Sequence, residues 1–154
     1  MESVDLKIKE LLSKNGVAFE SIEHPACGSA EEYHNTLHTR YEQQVKALLV
    51  QYKGRGFKGF AVVAIQAQKR ANLELIKELL NADEIRLADR NQLKDITGCN
   101  FGELPPVGSI FNLKLFLDKD LLKEQKVYFN AGKLDFSIAL KPISLKEIEK
   151  PVMF

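Results

Sequence analysis

The fold turns on Val45-Lys46-Ala47-Leu48-Leu49-Val50-Gln51-Tyr52, followed by Lys53-Gly54-Arg55-Gly56-Phe57-Lys58-Gly59 and then Phe60-Ala61-Val62-Val63-Ala64-Ile65. The first run is apolar on both faces apart from Lys46 and Gln51, and the last is apolar throughout. Short apolar runs bounded by glycines read as strands covered on both sides. The Gly54/Gly56/Gly59 cluster separates them, so the stretch predicts two buried strands joined by a basic turn carrying Lys53, Arg55 and Lys58. In an extended first strand, Lys46 shares a face with Leu48, Val50 and Tyr52, while Val45, Ala47 and Leu49 take the other.

Downstream, Leu73, Ile76, Leu79 and Leu80 form the stripe of a helix over Asn72 to Asn81, and Ile85-Arg86-Leu87-Ala88 reads as a short strand. Asp89 caps a helix from Arg90 to Thr97 that stops at Gly98. Cys99 to Gly108 is too rich in Gly and Pro for regular structure, after which strands resume at Leu113–Leu117, Lys126–Asn130 and Phe136–Leu140. Upstream, Val4, Ile8, Leu11 and Leu12 mark an amphipathic helix capped by Ser3 and stopped at Gly16. A strand over Val17–Ile22 and the turn His24-Pro25-Ala26-Cys27-Gly28 come next, and Ser29-Ala30-Glu31-Glu32 resembles a helix start. The rest of residues 29–43 is polar and carries no clear period. Were Cys99–Gly108 a linker, the piece after it would be too small to fold alone. The expectation is one compact α/β domain over residues 1–154, with a mixed sheet and surrounding helices.

At 154 residues, with 22 Lys+Arg against 21 Asp+Glu and 45% hydrophobic residues, the composition is globular and excludes disorder, collagen and coiled coil. A net charge of +1 excludes nucleic-acid binding by bulk electrostatics, so any RNA contact must be local. The longest apolar run, Phe60 to Ile65, is far short of the ~18 residues of a membrane helix. Met1-Glu2-Ser3-Val4-Asp5 lacks the basic, apolar start of a secretory signal, and Cys27 and Cys99 are too few for a disulfide framework. A soluble cytoplasmic protein with two free thiols and no membrane contact is expected.

Four places invite chemistry. Lys46 either snorkels its ammonium to water or stands as a fixed cation in a pocket, ready for a phosphate or a polarised oxygen. The Gly98–Gly108 loop either turns the chain or lets a ligand approach free backbone N–H groups, with Pro105-Pro106 stiffening it. His24, Cys27, His34 and His38 have spacings a zinc ion would accept, but they serve equally as loop and solvated residues. Tyr33 and Tyr41 either line a pocket and stack on a base or pack on their own helix. No G-x-S-x-G elbow or phosphate-binding glycine motif is present, and Cys99 has no histidine near it in sequence. The Lys53/Arg55/Lys58 cluster is either a soluble turn or a phosphate contact.

Read together, Lys46 in Val45-Lys46-Ala47-Leu48-Leu49, the loop Gly102-Glu103-Leu104-Pro105-Pro106 and Asn130-Ala131-Gly132 resemble, in order and spacing, the YbaK/prolyl-tRNA synthetase-associated editing domain family. The likeness runs from the first helix and Glu23-His24-Pro25, through Ile96-Thr97-Gly98, to Phe136-Ser137-Ile138-Ala139-Leu140 and a helix at Leu145. It implies a compact α/β domain around a mixed, partly barrel-like sheet. The implied activity is hydrolysis of the ester joining a wrong amino acid to the 3′-terminal adenosine of a transfer RNA, often one for proline.

By this resemblance Lys46 holds the terminal nucleotide or its phosphate, and Gly102 belongs to a G-x-x-x-P loop whose N–H groups meet the ester carbonyl. Glu103, Leu104, Pro105, Pro106, Asn130, Ala131, Gly132 and Ser137 become candidate substrate contacts. The family generally lacks a protein nucleophile and calls for no cofactor or metal; a substrate group such as the 2′-hydroxyl helps orient water. Two departures bear on specificity. Ala47 replaces a polar neighbour of the lysine, and Ser137 stands where cysteine-directed relatives are acidic, with Asp135 two positions earlier on the same face if this is a strand. The resemblance implies a freestanding deacylase for alanine, serine, threonine or cysteine on transfer RNA, helped by a synthetase or elongation factor. The alternative is a transfer-RNA or nucleotide-binding module without hydrolysis.

Overall fold

The computed structural model describes residues 2–154; Met1, where the expected domain and the signal comparison begin, lies outside the described residues. In chain order the elements are α1 (Val4–Lys14), β1 (Phe19–Glu23), α2 (Ala30–Leu37), β2 (Val45–Gly54), β3 (Phe57–Gln66), α3 (Leu73–Leu80) and β4 (Glu84–Leu87). They continue with α4 (Arg90–Thr97), β5 (Lys114–Leu117), β6 (Val127–Lys133), β7 (Phe136–Leu140), α5 (Pro142–Glu149) and β8 (Val152–Met153).

The hairpin β2–β3 is the spine, in register from Val45↔Gln66 to Gly54↔Phe57. β4 adds antiparallel to β2, and β5 then β8 add parallel on the other side, giving the mixed order β4-β2-β3-β5-β8. A second, antiparallel sheet of β1, β7 and β6 lies beside it. The two sheets meet at a single parallel bridge between Gln44 and Tyr128 and do not close into a barrel.

The unbroken apolar run in β3 follows from its double burial. Val62 and Ala64 pack with Leu49, Ile8, Leu12, Phe129 and Ile138 in the core between the sheets and α1. Ala61, Val63 and Ile65 face the other way, onto Ile76 of α3 and Phe116. Each such fully buried large side chain contributes about 1.5–3 kcal/mol relative to exposure.

Local signals set the helix ends. Asp89 accepts from the Gln92 N–H at 2.8 Å and Gln92 returns a bond to Asp89 N–H at 3.0 Å, so α4 starts as a capping box. Ser29 accepts from the Glu32 N–H and starts α2 inside the polar segment. Ser3 occupies the cap position of α1 but makes no side-chain cap bond. Among the described residues no helix is long and apolar enough to cross a membrane.

Candidate active site

Where the two sheets meet, a cavity of about 270 Å³ opens. The start of β2, Tyr33 of α2, Leu93 of α4, the loop after α4 and the middle of β6 converge on it. Lys46, Gly102, Leu104 and Asn130 all line this space, although they are far apart in sequence.

Lys46 is half-buried and, among the described residues, has neither an ion-pair nor a hydrogen-bond partner. Burial, and then repulsion from the Arg70 guanidinium, hold its ammonium below the usual lysine range. Lys69 gives the contrast. Burial pulls it down too, but bonds of 2.8 Å to Asp118 and 2.6 Å to Asp120 outweigh that and hold it above the usual range. Of these lysines, Lys46 is the one left to meet an anion from outside.

The loop opposite is pinned at both ends. Glu149, the last residue of α5, accepts from the N–H groups of Gly108 at 2.6 Å and Ser109 at 3.0 Å. Glu103 folds its carboxylate back onto Asn100 N–H at 2.7 Å, and its carbonyl accepts from Gly132 N–H at 2.8 Å. Gly102 adopts φ +87°, the left-handed region that favours glycine, and a Cβ there would lie 3.0 Å from Leu134 Cδ2. Among the described residues the N–H groups of Gly102 and Leu104 make no hydrogen bond. Two residues with unspent N–H donors and an unpaired lysine therefore line one small cavity.

A buried polar set backs the wall. Asn130 donates to Cys27 O and to Gly102 O at 3.0 Å each, and its Oδ1 accepts from Ser137 Oγ at 3.0 Å. Ser137 also meets Tyr33 OH at 2.6 Å and His24 Nε2 at 2.7 Å. Burial raises the Tyr33 hydroxyl far above the usual tyrosine value, partly offset by its bond to Ser137, so it stays neutral.

The other expected contacts lie elsewhere. Ser137 is fully buried behind Asn130 and Tyr33, off the cavity surface. Pro105 and Pro106 are buried beneath the loop, and Ala131 belongs to the core. Gly132 faces α1, where a Cβ would come 3.0 Å from Val4 Cβ. Asp135 does not share the Ser137 face: it sits exposed in the turn before β7, because that strand begins only at Phe136. Tyr33 lines the cavity, whereas Tyr41 stacks on His34 with ring centroids 4.7 Å apart.

The histidine–cysteine constellation is dispersed into separate bonds. His24 binds Ser137 and Pro25 O, Cys27 donates its thiol to Pro25 O and Glu32 O, His34 binds Thr39 O, and His38 is the exposed left-handed residue closing α2. Among the described residues no three of His, Cys, Asp or Glu come together as a metal cluster would require. Cys99 is fully buried, and that burial pushes its thiol up to about 11, away from the thiolate a nucleophile needs.

Sequence reasoning passed over Gln44, Tyr128 and Phe101, all of which border the cavity. Gln44 is buried and donates to Ala30 O and Thr39 Oγ1, and nothing in its local pattern announces this. Phe101 is 57% exposed at the rim beside Gly102. A large aromatic inside a Gly/Pro loop was the available signal.

Comparisons with known proteins identify the family of the chain that builds this cavity. The chain is 32% identical over 142 residues to the multifunctional Ser/Thr-tRNA deacylase ProXp-y of Escherichia coli K12, covering 92% of this chain and 85% of that one. It is 28% identical over 120 residues to a proline–tRNA ligase of Lactobacillus delbrueckii subsp. bulgaricus, where the match covers 77% of this chain and 20% of the ligase. The crystal structure of a hypothetical protein, APE2540, superposes with a TM-score of 0.84 at 27% identity over 96% of each chain. The family model described as an aminoacyl-tRNA editing domain matches residues 24–148, which takes in every wall of the cavity, and the chain belongs to that family.

Proposed function

We propose that this protein is a freestanding aminoacyl-tRNA deacylase, one editing domain over residues 1–154, that works in the cytoplasm on transfer RNA charged with a small wrong amino acid. The observation that carries the reading is the unpartnered Lys46 on the same 270 Å³ cavity as the free N–H groups of Gly102 and Leu104. The kinship to a Ser/Thr-tRNA deacylase and to a proline–tRNA ligase supports serine or threonine on transfer RNA for proline as the first substrates to test.

In this reading Lys46 binds a phosphate of the 3′-terminal nucleotide and sets the aminoacyl ester in the cavity. Water attacks the ester carbonyl, the C–O bond to the ribose breaks, and the Gly102 and Leu104 N–H groups take up the charge that develops on the carbonyl oxygen. The neutral Tyr33 hydroxyl and the buried, protonated Cys99 thiol are poor nucleophiles, which suits attack by water oriented by the substrate's own hydroxyl. A cavity of this size selects small side chains by volume, and one methylene separates substrates by only ~10 to 200-fold.

The test is deacylation of transfer RNA for proline charged in turn with alanine, serine, threonine, cysteine and proline, with wild type and Lys46→Ala side by side. Loss of one mischarged species, dependent on Lys46, is the expected result. A flat panel from protein that still binds the RNA would overturn the reading in favour of a binding module.

A further inference from the structure

Much of the cavity wall is buried, but part of its rim is not. Among the described residues six large apolar side chains stand exposed, and the two most exposed, Phe101 at 57% and Leu87 at 50%, both border this cavity. One such side chain alone on a surface is ordinary, whereas two gathered on one cavity mark a place for a ligand. No aromatic ring or cation of the protein pairs with the Phe101 ring among the described residues.

The backbone holds this ring in place. Phe101 and Gly102 are the two corner residues of a turn closed by the Glu103 N–H on Asn100 O at 3.1 Å, and the φ of +87° at Gly102 suits the second corner of a type II turn. The Glu103 carboxylate accepts from the Asn100 N–H at 2.7 Å. Gly102 O accepts from Asn130 Nδ2 at 3.0 Å, and Glu103 O accepts from the Gly132 N–H at 2.8 Å. None of these bonds involves the ring. The turn is therefore braced independently of the side chain it presents, and little ordering cost remains when a ligand meets that side chain.

Substrate chemistry says what fits. A nucleotide ribose carries its phosphate, its ester and its base on different carbons. Lys46 answers the phosphate and the Gly102 and Leu104 N–H groups answer the ester carbonyl, which leaves the base without a counterpart. The buried lining residues Leu49, Ala88, Leu93 and Leu104 suit a small side chain. An open aromatic ring beside the donor residue suits a nucleobase, whose π face stacks while its polar edges stay in water.

We propose that Phe101 is the platform on which the 3′-terminal adenine of the transfer RNA stacks, with Leu87 adding to the apolar rim. The identity of the nucleotide rests on the deacylase reading; stacking itself requires no hydrolysis. Because a π face is common to all bases, the platform supplies affinity and orientation and leaves the choice of amino acid to the buried lining.

The experiment titrates the whole chain, without RNA, with adenosine 5′-monophosphate and with ribose 5-phosphate, which lacks only the base, and follows binding by NMR. Wild type, Phe101→Ala and Phe101→Tyr are compared. Wild type should bind the nucleotide about 5- to 150-fold more tightly than the sugar phosphate, and the Phe101 ring signals should move with the nucleotide alone. Phe101→Ala, which removes an exposed ring and none of the turn's bonds, should erase that difference and leave sugar-phosphate binding unchanged. Phe101→Tyr should restore it. Equal affinity of wild type for the two ligands, an alanine variant that still prefers the nucleotide, equal weakening of both ligands in that variant, or no binding of either ligand to wild type each overturn the platform.

In deacylation Phe101→Ala should raise KM by a similar factor with kcat little changed, as expected for a contact made equally in the ground and transition states. A fall in kcat at constant KM overturns the binding role. A wild type that deacylates nothing removes the deacylase reading, while the nucleotide titration still decides the platform.

Discussion

At one end of the β2–β3 hairpin, Lys53, Arg55 and Lys58 crowd around the turn, all exposed. At the other end, Lys46 stands opposite Ile65, half-buried, with Arg70 as its charged neighbour. The two ends are seven residues apart along β2, about 23 Å at ~3.3 Å per residue. By sequence the turn is the more conspicuous basic feature. Yet none of these three residues lines the cavity, and an exposed cation in water has little left to gain from an anion. Lys46 is partly shielded from water without being given a counter-charge among the described residues, so an incoming phosphate gains from it what no protein group supplies. The contrast teaches that a binding cation is recognised by what surrounds it rather than by how many lysines cluster.

The largest effect is expected from Lys46→Met, which keeps the stem and removes the charge. Deacylation should fall about 10²–10³-fold, while the melting temperature stays level or rises because a desolvated charge is gone. Equal losses of activity and stability would demote Lys46 to a structural role. Gly102→Ala comes next. The left-handed φ of +87° makes any side chain strained there, at roughly 1–2 kcal/mol, and relief by loop movement should lower kcat about tenfold or more with a smaller change in KM. A loss shared equally between kcat and KM would place the loop outside the chemistry.

A smaller effect separates the paired lysine from the unpaired one. Asp120 is held at about 2 chiefly by its bonds to Lys69 and Lys123, below its ordinary 3.8. A lowered carboxyl stabilises the fold fully above its unfolded value and loses that contribution as pH falls through the folded one. Asp120→Asn should therefore melt slightly below wild type at neutral pH, and the gap should close as pH falls from about 4 to about 2. A gap that persists in acid would mean the carboxylate is not its source. The smallest effect belongs to the hairpin turn. Replacing Lys53, Arg55 and Lys58 together by alanine should change deacylation by no more than about twofold, the range of ordinary surface substitutions. A loss rivalling that of Lys46→Met would erase the distinction between the two ends and make the turn part of the RNA contact.

Much of this architecture is written locally. The stripe of Leu73, Ile76 and Leu80, the Asp89/Gln92 box, and the glycine-bounded runs of β2 and β3 are each read within a few residues, and the elements appear where those signals stand. Two features escaped that reading. β8 is two residues long and exists only because β5 offers it an edge. Asp135 shares no face with Ser137 because the β6–β7 connection bends one residue before β7 begins, after a register shift between Asn130 and Lys133.

Lys46, Gly102 and Asn130 were legible as a group through their resemblance to a family, and the fold does bring them to one cavity. Their surroundings were not legible. Lys69 is paired by Asp118 and Asp120, about fifty positions away in sequence, whereas Lys46 has no carboxylate partner among the described residues. That Ser137 is a buried hinge between His24, Tyr33 and Asn130, not a cavity contact, depends on bonds spanning 113, 104 and 7 residues. Helix caps, turns and hydrophobic periods arise from interactions between near neighbours, so a linear pattern specifies them. Desolvation and the pairing of charges arise from whichever distant elements pack together, and those are known only when the two sheets and the loop have closed around the same space.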